Sequence, residues 1–573
     1  MKKKPSILHL LKPYLGIVSL LIMFTICSNG ISLLIPKLIS KTIDAFTLGN
    51  FSYKPVIIQF SLAVTGIFIF SYLQSIIQTY ASEKVARDLR TKLADKISKQ
   101  TYAFIEQANP AKLLTNLTAD VDSIKLFISQ AIASIVSSLF IIIGASILMI
   151  TINWKLALCV IAIIPIIGIT FFVVLKKVRA LFIQSRAVID WLNKVINESI
   201  LGAAIIRVVN SQQPEYNKFL EANTKAKDFG LKILYLFAGL IPVITFTANM
   251  AALSILALGG HFVIAGSMTL GNFAAFNSYV SMLIFPILII GFMSNVIAQA
   301  TASYERISNV LNSPEPAETG TIAEDLSGEI ELKNVNMLYG QAPVLKDISF
   351  SVTPGSKVAI IGPTAAGKTQ LLYLLTGLMK PTSGSITFDG RSIVEYNSEA
   401  FHRQVGYVFQ DSIMFNMSVR ENIAFSDTVT DESLQKAIDT AELKDFIETL
   451  PGKLNTIVSE RGSSLSGGQK QRVMLARALA LNPKILLLDD FTARVDNNTE
   501  KKILENIQRN YPRLTLISVT QKIASVEAYD QIVLLMQGEL IDIGRHDELL
   551  QTSPEYVQLL NSQKSTSNYE LQS

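Results

Sequence analysis

The chain has 573 residues, of which 49% are hydrophobic and 17% charged, and a net charge of +5 at neutral pH. It is too long for a single hydrophobic core, and the balance is that of a membrane-embedded chain rather than a soluble one. So small a charge over this length gives no indication of nucleic acid as a partner, but it suits loops held at an anionic cytoplasmic leaflet.

The N-terminus, MKKKPSILHLLKPY, leads into a long apolar segment without a small-residue cleavage site, and predicts a first membrane span rather than a cleaved leader. Six apolar segments follow one another near residues 14–36, 56–80, 130–152, 156–175, 233–260 and 273–298. Each approaches the roughly 20 residues that a helix needs to cross the hydrocarbon core. Asn153 and Trp154 mark a tight turn between the third and fourth. Basic residues concentrate between spans two and three (Lys84, Arg87, Arg90, Lys92, Lys96, Lys99, Lys112) and between spans four and five (Lys176, Lys177, Arg179, Arg186, Lys194, Arg207, Lys218). The opposite connections are short and nearly uncharged, so both termini are expected in the cytoplasm. No Asp, Glu, Lys or Arg falls in the apolar cores, which argues against ion coupling and for a hydrophobic or amphipathic cargo. Asn249, Gln130, Asn277 and Gln299 suit either a cavity lining or hydrogen bonds between helices. The cysteines, Cys27 and Cys159, lie in apolar stretches and are expected to be buried thiols, with no disulfide framework or metal site between them.

Residues 313–328 contain Pro, Glu, Thr and Gly without apolar periodicity and read as a linker. From residue 329 onward, β-type alternation gives way to strand–loop–helix units, as in an α/β domain. The strongest signal lies in KVAIIGPTAAGKTQLLYLLTGL, where an apolar strand runs into a glycine loop and then a helix. Gly362, Pro363, Thr364, Ala365, Ala366, Gly367, Lys368 and Thr369, with Gln370 behind them, form a P-loop pattern. Such a loop turns backbone N–H groups and a helix N-terminus toward phosphates, Lys368 adds a cation, and the Thr369 hydroxyl offers an oxygen to Mg²⁺. ATP and Mg²⁺ are therefore the expected ligands.

Further on, SSLSGGQKQRVMLARALALNPKILLLDD adds a second motif upstream of an apolar strand ending in Asp489 and Asp490. With it, nearly the whole chain resembles the ATP-binding cassette transporters, and more narrowly an exporter half-transporter. The fold class implied is a membrane α-helical domain with six transmembrane helices, of the type I exporter kind, over residues 1–312, and an α/β P-loop nucleotide-binding domain over 329–573. In that family Ser466, Gly467, Gly468 and Gln469 form the signature that closes over ATP held by a second subunit. Tyr339 matches the aromatic that stacks on adenine, Gln410 the glutamine at the metal, Asp489 the Walker B aspartate and Asp496 the aspartate of the D-loop. The metal set implied is Thr369, Gln410 and Asp489. Cytoplasmic helices near NLTADV and NSQQPEY are expected to pass closure of the nucleotide domains to the spans.

Two catalytic positions depart from the family pattern, and the D-loop leading to Asp496 is altered too, with Phe491, Thr492, Ala493, Arg494 and Val495 where the family has Pro-Thr-Ser-Ala-Leu. Asp490 stands where the family has a catalytic glutamate, and Gln521 stands where it has a histidine on the γ-phosphate. His9, His261, His402 and His546 are the chain's only histidines, so no shifted copy exists. Shortening Glu to Asp retracts the carboxylate by about 1.5 Å, and misplacement of about 1 Å costs on the order of 100-fold in rate. Glutamine cannot become cationic. The expectation is a site that binds ATP and hydrolyses it slowly, in the degenerate-site subunit of a heterodimeric bacterial multidrug exporter. Such a subunit would sit in the plasma membrane among lipid, beside a second half-transporter carrying the intact residues, and would move small molecules. Rival readings are lipid translocation or metal-chelate uptake on the same fold, and a membrane-tethered nucleotide sensor without cargo.

Overall fold

The computed structural model describes residues 7–315, 320–340, 342–459, 462 and 464–570. Two compact units result: 1–99 with 108–314, and 100–107 with 315–573.

The first unit is helical. Among the described residues, five helices are long and apolar enough to cross a membrane: Lys12–Thr47, Tyr53–Ser98, Pro110–Ile152, Gln212–Ile264 and Leu270–Leu311. The apolar segment 156–175 falls on two further helices, Trp154–Ile161 and Ile163–Leu201. The turn before them is built as its residues suggest, with the Asn153 side chain accepting from the Leu156 N–H and capping the helix. A core of Leu33, Met149, Leu156, Ile255, Phe276 and Tyr279 joins all of these helices but Tyr53–Ser98 and Ile163–Leu201, and the Tyr279 hydroxyl donates to the Leu33 carbonyl at 3.0 Å. Asp120, almost fully buried, accepts from Ser303 at 2.9 Å and from Arg306 Nε at 3.0 Å, pinning the Pro110–Ile152 segment to the last helix. A buried carboxylate needs such partners, because an unpaired charge inside a protein is strongly destabilising. Contrary to expectation, Cys159 is exposed and Cys27 half-buried. Apolar neighbours in sequence do not imply burial on a helix whose outer face is itself apolar.

The second unit is built on one ten-stranded sheet. Its strands are β1 (Ile330–Tyr339), β2 (Ala342–Val352), β3 (Lys357–Ile361), β4 (Ser383–Phe388), β5 (Arg391–Ser392), β6 (Val405–Val408), β7 (Ile485–Asp489), β8 (Thr515–Thr520), β9 (Gln531–Met536) and β10 (Glu539–Gly544). They lie in the order β5-β4-β1-β2-β10-β9-β3-β8-β7-β6. The β9-β3-β8-β7-β6 portion is parallel, and β1, β2 and β4 pair antiparallel. Strand β3 explains the layering. Val358 and Ile360 enter one core with Leu371, Leu372, Ile517 and Val519, while Ala359 and Ile361 enter the other with Leu486, Leu488 and Leu516. A strand buried on both faces reads as a continuous apolar run, as β3 and β7 do. Truncating one of these large side chains to alanine costs about 2–5 kcal/mol.

Candidate functional site: a P-loop at the carboxyl ends of parallel strands

The register places the site. Ile361 at the end of β3 pairs with Thr520 at the end of β8, and Asp489 at the end of β7 pairs with Val519. The loop after β3, the aspartate ending β7 and Gln521 just beyond β8 therefore emerge side by side, and Gln410 follows β6 on the same edge. Ligands of parallel α/β sheets bind at this end.

The P-loop's backbone is left-handed at Ala365 (φ 66°) and Gly367 (φ 91°). This turns successive N–H groups to one side, an anion-binding concavity ahead of the helix Lys368–Leu375. A Cβ at Gly362 would run into the Leu535 carbonyl oxygen, so only glycine lets the loop pass so close to β9. Lys368 is buried and donates to the carbonyls of Gly362 and Pro363 at 2.8 and 2.7 Å. Burial lowers its pKa, and the neighbouring Asp490 and Asp489 oppose the shift. Pro363 and Thr364 are exposed at the mouth, Ala366 is buried beneath it, and Gln370 opens the helix beyond Thr369.

Asp489 is 1% exposed. Burial raises its pKa, while hydrogen bonds from Thr369 and Tyr407 pull it back down. Thr369 Oγ1 donates to Oδ1 at 3.2 Å and the Tyr407 hydroxyl donates to Oδ2 at 3.3 Å. A hydroxyl beside a carboxylate is a hard oxygen donor set of the kind magnesium takes, and the glycine-lined loop fits the phosphates it accompanies. Bound there, magnesium would neutralise charge on the β- and γ-phosphates. Thr369 and Asp489 are thus brought together as the sequence predicts. The Gln410 side chain is exposed and makes no hydrogen bond to either of them; its carbonyl accepts from Gln471 at 3.1 Å.

Asp490 takes a left-handed conformation (φ 47°), and its N–H donates to the Val519 carbonyl at 2.9 Å. Asp is among the residues that tolerate this region best. Gln521 is exposed, and its carbonyl accepts from Gln563 of the helix Pro554–Glu570 at 2.6 Å, while Gln563 Oε1 receives the Ile523 N–H at 3.0 Å. Tyr339 is also exposed and donates to Glu106 at 3.2 Å, and the Glu106 charge raises its pKa.

The signature turn does structural work within this chain. Ser466 and Gln469 form a reciprocal capping box at the start of the helix Gly467–Leu479, with bonds of 2.8 and 3.3 Å. Gly468 faces the D-loop so closely that a Cβ there would lie 2.7 Å from the Arg494 carbonyl oxygen, and Gly467 packs on the Arg494 side chain. Asp496 caps the next helix by accepting from the Thr499 N–H at 2.9 Å. Glu460 and Arg461, ahead of the signature, lie outside the described residues.

Two features escaped the sequence reading. Tyr407 sits inside VGYVFQD, three residues before Gln410, and only the β6–β7 pairing aims it at Asp489. Gln563 is invisible as a site residue because its partners are distant in sequence. Residues 100–107 group with the nucleotide unit. NLTADV lies in the helical unit, where Asp120 is committed to Ser303 and Arg306. NSQQPEY likewise lies in the helical unit, at the start of the helix Gln212–Ser254.

Together these features define an integral membrane protein carrying a P-loop nucleotide-binding unit. Residues 18–287 match the family described as ABC transporter transmembrane region, and residues 345–493 match the family described as ABC transporter. An uncharacterized ABC transporter ATP-binding protein of Bacillus subtilis, YfiB, is 33% identical over 97% of this chain and 98% of its own length. A probable multidrug resistance ABC transporter ATP-binding/permease protein of the same organism, YheI, is 30% identical over 92% of both. Among solved structures, a bacterial Atm1-family ABC exporter with ATP bound superposes with a TM-score of 0.80 at 23% identity, covering 96% of this chain and 98% of that one. The chain belongs to the ABC transporters, with its transmembrane and ATP-binding regions on one polypeptide and the fold of an exporter. It is an ATP-driven transporter.

Proposed function

We propose that this chain is one half of a heterodimeric exporter of hydrophobic or amphipathic compounds. On this reading its own P-loop forms a slow ATP site, and its Ser466–Gln469 turn completes a fast site on a second half-transporter. The observation that carries the reading is the contrast within one domain: Asp490 and Gln521 depart from the family residues, while the signature motif is intact. Two copies of this chain would hold two slow sites, so a partner with an intact glutamate and histidine is needed for efficient pumping.

Supporting the cargo class are the absence of charged residues from the apolar cores and the relative whose printed name is a multidrug transporter. On the same reading residues 1–312 form the membrane domain, 313–328 the linker and 329–573 the nucleotide-binding domain. The basic stretches between spans support cytoplasmic termini. Tyr339 stacks on adenine, and Gln410 approaches the metal once nucleotide is in place.

The test is ATP binding and turnover by the chain purified alone in lipid nanodiscs. Binding of ATP–Mg²⁺ with very slow hydrolysis is expected, and co-purification with the partner should restore turnover that cargo stimulates. Robust turnover by a verified homodimer would show that Asp490 suffices.

A further inference from the structure

We propose that Tyr407 is a positioning residue for the metal-holding carboxylate of Asp489, linked through the Tyr373 ring to Tyr102 on the helix Tyr102–Ala108. The proposal rests on the reading of Thr369 and Asp489 as the magnesium site.

Asp489 can hold a cation only if its carboxylate stays charged and keeps one oxygen turned toward Thr369. Its Oδ1 accepts from Thr369 and its Oδ2 from the Tyr407 hydroxyl, so the tyrosine anchors the oxygen that Thr369 leaves free. The phenol is held in place by its neighbours. Its ring meets Phe409 edge-on at 4.3 Å and Tyr373 edge-on at 6.2 Å.

Tyr373 lies on the helix that begins with Lys368 and Thr369, and its ring packs on Tyr102 at 5.5 Å. The three rings therefore run from the 100–107 segment, which belongs to the nucleotide unit, to the carboxylate that ends β7. The same short helix carries Glu106, the acceptor of the Tyr339 hydroxyl. One seven-residue helix is thus tied to both the metal end and the aromatic end of the site. Phenylalanine keeps the ring at 407, so Tyr407→Phe removes the hydroxyl bond to Asp489 alone.

The experiment titrates Mg²⁺ against binding of a fluorescent ATP analogue to the full chain in lipid nanodiscs, with a parallel measurement in EDTA. Tyr407→Phe should raise the Mg²⁺ concentration for half-maximal binding about ten-fold or more, as expected for losing one hydrogen bond to a charged group. Binding in EDTA should not change. Tyr102→Ala should shift the Mg²⁺ requirement the same way by a smaller factor, and Tyr102→Phe should not shift it. The Tyr407→Phe, Tyr102→Ala double variant should match Tyr407→Phe alone, because Tyr102 acts through that hydroxyl. An unchanged Mg²⁺ requirement in Tyr407→Phe, or an equal loss with and without the metal, overturns the proposal. A wild-type chain whose ATP binding ignores Mg²⁺ overturns the metal-site reading as well.

Discussion

Asp490 and Lys368 show how differently two residues of one site are constrained. Lys368 is buried against its own loop, where the carbonyls of Gly362 and Pro363 hold the ammonium until phosphates compete for it. Asp490 is positioned by its backbone: its left-handed conformation and its N–H bond to Val519 set where the side chain starts. A longer side chain from the same backbone would reach about 1.5 Å farther. Asp490→Glu combined with Gln521→His is therefore expected to raise ATP turnover at this chain's own P-loop by at least about 100-fold. Either change alone should give less, since groups acting as one unit are non-additive. The measurement is turnover in the assembled pair with the partner's catalytic glutamate removed. An unresponsive double variant would place the block elsewhere, at Phe491 or Arg494 in the altered D-loop or in a degenerate signature of the partner.

At the scale of elements, the contact between the signature turn and the D-loop decides how this chain presents its LSGGQ. The helix Gly467–Leu479 starts from a capping box, and the D-loop backbone at Arg494 crosses directly over Gly468. Gly468→Ala would place a methyl group 2.7 Å from the Arg494 carbonyl. Overpacking of that kind costs about 1–3 kcal/mol, and it would push the D-loop off the signature turn. The expected result is a lower thermal unfolding midpoint together with reduced turnover at the partner's site, while ATP binding to this chain's P-loop is retained. Equal loss of binding and turnover would mean that the substitution had disrupted the whole unit.

For the whole molecule, the proposed two-site arrangement predicts unequal effects from equivalent substitutions. Lys368→Ala removes the cation from the slow site and should weaken ATP retention there. Transport by the pair should slow rather than stop, because the fast site uses the partner's lysine. The corresponding substitution in the partner should stop it. Transport in inside-out vesicles reads both, and complete loss with Lys368→Ala in a normally assembled pair would contradict the asymmetry.

The sequence by itself determined the two-part organisation, the apolar segments and the P-loop. Each rests on local signals: the length of an apolar run, the alternation of a strand, the glycines at a turn. The departures at Asp490 and Gln521 were legible only against the family pattern that the chain resembles, with the ends of two apolar strands marking where its residues fall. Tertiary structure alone decided which side chains converge. Tyr407 becomes a partner of Asp489 only because β6 pairs with β7, and Gln563 reaches the Gln521–Ile523 segment from a helix near the far end of the chain. It also grouped residues 100–107 with the nucleotide unit. These contacts join residues far apart in sequence, and nothing in a local pattern encodes which distant partner a polar side chain will meet. The exposed Cys159 has the same origin, because an apolar stretch leaves open which face of its helix turns inward.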